Sequence, residues 1–207
     1  MPRVDDFKNA LNMARELFSH INPDETARRG GAGIETSGGE TSIILPFFYR
    51  DLVIRHPEGT MVYPQDGTEP SLPEQILVLH YLLAQSETPL TGKTITFREI
   101  PSGEFYYGPF LKRAQAPLVK TFGEAPEKFM ELAMKAGGQR SSLGTVAVTF
   151  RPFPRIPITL ILWPGDEEFP PDGNLLFDSS ISDFLAGEDI ALLAGMAVYR
   201  LMALARE

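Results

Sequence analysis

Between Arg155 and Asp178 the chain reads RIPITLILWPGDEEFPPDGNLLFD. The first part is apolar and rich in β-branched residues, a composition suited to a buried sheet. It falls far short of the ~20 apolar residues needed to span a bilayer. A strand over Ile156–Trp163 is therefore expected, ending at the sole tryptophan. A loop punctuated by Pro and Gly follows, then a second strand, Asn174–Asp178. Thr145–Arg151 predicts a companion strand across the turn RPFPR. A chain holding three such segments must build a sheet and cover it.

The rest of the sequence supplies the cover. Val4, Phe7, Leu11, Ala14, Phe18 and Ile21 recur at three- and four-residue steps, which predicts an amphipathic helix over 3–20. Pro23 stops it. Residues 32–37 and 41–48 flank Gly38–Gly39 and predict a β-hairpin, with short strands near 52–55 and 60–63. Ser71 and Glu74 form a capping-box pattern ahead of a helix over 72–85. Thr94–Ile100 alternates like a strand. Helices are expected over 109–121, over 126–136 with Gly137–Gly138 closing it, and over 187–206. The expected fold is a single α+β domain spanning 1–207, with a mainly antiparallel sheet and four to five packing helices. Its ends are an N-terminal helical segment within 1–22 and a C-terminal helix over 187–206.

The chain has 207 residues and no cysteine. That removes disulfides, thiolate nucleophiles and cysteine-ligated iron–sulfur clusters from its own chemistry. The net charge is −8, and the only adjacent pairs of basic residues are Arg28–Arg29 and Lys112–Arg113. An extended nucleic-acid footprint needs clustered cations, so no nucleic-acid partner is expected. Met1 leads into a charged amphipathic segment rather than an apolar leader, which points to a cytoplasmic protein with no membrane association.

Familiar catalytic motifs fail on inspection. Thr91-Gly92-Lys93-Thr94 resembles the end of a phosphate-binding loop, but Glu87 stands where the first glycine belongs and a strand follows instead of a helix. Gly30, Gly31 and Gly33 lack the strand and helix of a dinucleotide fingerprint. No nucleophile-elbow serine occurs. His20, His56 and His80 are too far apart in sequence for a ready-made metal pair, and His80 reads as a core histidine on its helix. His56-Pro57-Glu58-Gly59 shares only a His-x-x-Gly spacing with corrinoid-binding domains, with Ile54 in place of the orienting aspartate.

The acidic loop is what remains. Asp166, Glu167, Glu168, Asp172 and Asp178 fall within thirteen residues, next to Trp163 and Phe169. Carboxylates near a tight turn suit a hard cation, with Asp166, Glu168 and Asp178 as candidate ligands. The alternative is a solvated turn in which Asp166 accepts backbone amides and the glutamates face water. Aromatics beside the charges suit a clasp or a pocket for a cationic or planar ligand. Arg98, Tyr106 and Arg155 complete the candidate ligand set. Arg98 and Tyr106 would line the same cleft, and Arg155 could pair with one of the loop carboxylates.

Three strings, Pro154–Asp178 (PRIPITLILWPGDEEFPPDGNLLFD), Thr91–Tyr106 (TGKTITFREIPSGEFY) and Leu77–Leu83 (LVLHYLL), resemble the uncharacterised prokaryotic family named domain of unknown function 3786. The resemblance runs from about residue 10 to about 205. It implies an association with anaerobes, and relatives with an added cysteine-rich iron–sulfur segment that this chain lacks. Any redox role would then come from a partner. The family carries no assigned chemistry to transfer residue by residue. The resulting expectation is a binding or accessory protein serving an anaerobic metalloenzyme or corrinoid system, with its site at the WPGDEEFPP loop. The alternative is an enzyme using an oxygen-ligated divalent metal or paired carboxylates. The ligand, the cofactor and homo-oligomer formation stay open.

Overall fold

Proline and glycine set most of the boundaries in the structure, a computed structural model that describes residues 4–206. It divides into two compact units. One runs up to Pro89 and includes 153–155 and 183–185; the other comprises Leu90–Pro152, Ile156–Ser182 and the segment from Ala186.

In the first unit, α1 (Val4–Ser19) buries Leu11, Ala14 and Phe18. Position 3 of the expected helix lies outside the described residues. Helix α2 (Pro23–Gly30) begins at Asn22, whose side chain accepts the Glu25 amide at 3.0 Å, and ends at Gly31 with φ +68°. The hairpin of β1 (Gly33–Ser37) and β2 (Glu40–Phe47) turns at Gly38–Gly39, both with positive φ. The next hairpin, into β3 (Arg50–His56), turns at Phe48–Tyr49, two non-glycine residues that also hold positive φ. With β4 (Met61–Val62) these strands form a four-stranded antiparallel sheet in sequential order. In α3 (Leu72–Leu83), the Ser71 amide donates to the Glu74 carboxylate at 2.9 Å, as the capping pattern predicts.

Tyr81 organises this core. Its ring stacks on Phe153 at 4.2 Å and 8°, and its hydroxyl donates to the Gly30 carbonyl at 2.7 Å. The bond satisfies an acceptor at the C-terminal end of α2 that would otherwise be buried without a partner.

In the second unit, β5 (Thr94–Thr96) leads through a tight 3₁₀ turn to α4 (Gly103–Phe110). Helical geometry continues through a π-turn, Leu111–Gln115, into α5 (Ala116–Phe122). Pro109 and Pro117 supply no amide to the ladder, and between them the Ala116 amide reaches back five residues to the Leu111 carbonyl. Then come α6 (Pro126–Lys135), β6 (Gln139–Arg140), β7 (Val146–Phe153), β8 (Ile156–Trp163), β9 (Asp172–Asp178) and α7 (Gly187–Leu204). The second sheet has the order β5-β9-β8-β7-β6. Its central strand β8 is buried from Ile158 to Leu162 without alternation, as a strand covered on both faces must be. The α+β, antiparallel character expected from the sequence holds, with the strands shared between two sheets.

Replacing Tyr81 with Phe keeps the stack and strands the Gly30 carbonyl. The expected loss is about 1–3 kcal/mol by chemical denaturation. Phe153→Ala should cost more, about 3–5 kcal/mol, because it opens a cavity.

Candidate functional site

The loop between β8 and β9 is closed where Trp163 pairs with Asp172 on the β8–β9 ladder. Within it, Asp166 works as a clasp. Its amide donates to the Phe169 carbonyl at 2.9 Å, and its Oδ1 accepts the amides of Glu168 and Phe169, both at 2.8 Å. Those two donors, Phe169 foremost, hold its carboxyl below the usual carboxylate range. The base of the loop is set by close packing. A Cβ on Gly123 would come within 2.8 Å of the Pro171 ring, and so would one on Gly165.

The loop side chains face outward. Trp163 is 48% exposed and Phe169 67%, and Glu167 and Glu168 are exposed beside them. Phe169, Glu167 and Glu168, with Glu124, Asp166 and Pro171, border a shallow depression of about 490 Å³, and Trp163 lies outside its lining. The side chains of Glu124, Glu167 and Glu168 form no ion pair or hydrogen bond with a described residue.

The other expected site residues lie elsewhere. Asp178 stands at the far end of β9, six residues or about 20 Å of strand from Asp172. The structure therefore does not bring it to Asp166 and Glu168, and among the described residues no group of three His, Cys, Asp or Glu could hold a metal ion. Its Oδ1 accepts the amides and hydroxyls of Thr91 and Ser180 at 2.7–3.0 Å, and Oδ2 accepts the Gly92 amide at 2.8 Å. Partial burial pushes its pKa up, but the Ser180 and Thr91 donors outweigh that and hold it at about 2. The segment that mimics a phosphate loop is thus a turn, with Gly92 at φ +73°, and its amides are already bound by a carboxylate.

Arg155 makes no pair with the loop carboxylates. It donates from Nε to the Arg29 carbonyl at 2.6 Å and from a terminal nitrogen to the Arg28 carbonyl at 3.3 Å. A guanidinium there caps the Arg29 carbonyl at the end of α2 and joins the Gly31 amide on the Arg28 carbonyl. Arg98 lies 4.0 Å from the centroid of the Tyr107 ring and 3.6 Å from Glu104. Tyr106 lies in α4, where it meets Phe105 edge-on. Neither Arg98 nor Tyr106 borders the loop depression. His56, in the His-x-x-Gly segment, packs edge-on against Phe18 in the first unit.

The sequence profile of a family described as a domain of unknown function (DUF3786) matches residues 22–200. The chain belongs to this family. The match takes in the loop, the Thr91–Tyr106 segment and the Leu77–Leu83 helix that carry the resemblance. No curated protein matches the chain, and no solved structure does.

One feature of this DUF3786 chain escaped the sequence reading. A groove of about 580 Å³ runs along α5 and α7, lined by Lys112, Ala116, Pro117, Lys120, Thr121, Tyr199, Met202 and Arg206. Its signal was present in the four-residue steps Lys112, Ala116 and Lys120. What hid it is that Tyr199 and Met202 come from a helix nearly eighty residues further on, and Arg206 from the turn that ends it. No helix among the described residues is long and apolar enough to cross a membrane.

Two expectations follow. Because Asp178 has a depressed folded-state pKa, its contribution is present above the ordinary value near 3.8 and lost as pH falls toward about 2. Asp178→Asn should lower stability at neutral pH, and the gap to wild type should close between about pH 4 and pH 2 in denaturant titrations. Asp166→Ala should leave global stability nearly unchanged while speeding cleavage after Glu167 and Glu168 by a glutamate-specific protease.

Proposed function

We propose that this DUF3786 chain is a binding module whose partner surface is the loop Trp163–Pro171, and that it takes a basic protein surface carrying an apolar recess. The observation that carries this reading is two exposed aromatics and two unpaired glutamates on a loop held from within by Asp166 and Pro171. A preformed loop loses little conformational freedom on association. Burying Phe169 or Trp163 is worth about 1.5–3 kcal/mol each if the fit is good, enough to make either an anchor. Glu167 and Glu168 would steer the encounter and select against acidic partners.

The test compares proteins retained by the immobilised wild-type chain with those retained by the E167K/E168K variant. A partner retained only by the wild type is then purified and its affinity measured directly. Phe169→Ala should weaken that binding about tenfold or more, and raising the salt should weaken it further. A partner that binds wild type, E167K/E168K and F169A equally well would sink the proposal.

A further inference from the structure

The basic groove runs against the character of the molecule. The chain carries 27 acidic and 19 basic residues, yet Lys112, Lys120 and Arg206 rim this groove and no carboxylate among the described residues lines it. None of the three pairs with a described carboxylate. Between them lie apolar surfaces from Pro117, Met202 and Tyr199, the last 50% exposed. Lone surface lysines need no explanation, but three unneutralised cations around an apolar recess form a surface complementary to an acidic segment with an aromatic side chain.

This chain presents such a segment on the adjoining surface. Lys120 borders the groove, and Glu124, one helical turn further on, borders the depression of the Trp163–Pro171 loop. The two surfaces are neighbours in the same unit, and their charges do not neutralise each other within it. Adjacent complementary patches are what a two-fold interface requires, since each copy then offers its loop to the groove of the other.

Resting on the reading of the loop as a partner surface, we infer that the partner which fits the groove is a second copy of this chain. Phe169 enters the recess between Tyr199, Met202 and Pro117, and Glu167 and Glu168 meet Lys112 and Lys120. Each loop is matched twice over, by shape and by charge, and the two contacts close the assembly as a dimer rather than a filament.

Sedimentation of the wild-type chain up to roughly 100 µM at low salt, a range that captures micromolar dimers, should show a dimer that loosens as salt is raised. K112E/K120E and E167K/E168K should each weaken it about tenfold or more, since like charges then face each other. An equimolar mixture of the two variants should recover the dimer, because both contacts again join opposite charges. That recovery also shows that both variants are folded. A wild type monomeric throughout, a dimer indifferent to both reversals, or no recovery on mixing would each overturn the inference. If a basic partner is still lost on E167K/E168K while the wild type stays monomeric, self-association alone is refuted and the loop remains a partner surface.

Discussion

The pairing of Trp163 with Asp172 decides what the most unusual stretch of this chain can be. β8 is the central strand of its sheet and is buried along nearly its whole length, so its end point is not free to slide. A one-residue slip would turn every side chain of β9 to the opposite face. With both ends pinned, residues 164–171 must turn back within eight residues. Asp166 makes that turn compact by occupying the Glu168 and Phe169 amides, and Pro171 seats the return arm against Gly123. The aromatic and acidic side chains are left pointing outward because the inward directions are filled by backbone.

Local rules carried much of the fold. The periodicity of α1, the Gly38–Gly39 hairpin, the Ser71–Glu74 box and strands β7 and β8 depend on neighbours in sequence, and the chain adopts them as patterned. Partnerships across long separations were not legible. Thr94 pairs with Asp178 across 84 residues, and nothing in either segment names the other. Arg155 looked like a partner for carboxylates because both were near in sequence. It instead serves two carbonyls more than 120 residues away, at the end of a short helix that needed donors. The Phe105–Tyr107 segment resisted reading because glycine and proline flank aromatics within eight residues, a composition that tertiary packing resolved as helix.

The acids of this chain divide into two kinds. Asp178, Asp166, Glu74, Glu99 and Asp66 each accept backbone amides close to a turn or helix start. Their charge is already matched by several donors, so they are poor candidates for ligands or for chemistry, however conspicuous they are in sequence. Counting carboxylates per segment therefore overstated the site, since it treated Asp178 and Asp166 as equivalent to their neighbours. Glu124, Glu167 and Glu168 are the other kind: exposed, without a described partner, and set beside an exposed aromatic. Surface charges of this sort cost little to keep and contribute little to stability. What distinguishes these three is a fixed backbone beneath them and a basic groove one helical turn away, a combination that folding alone does not require.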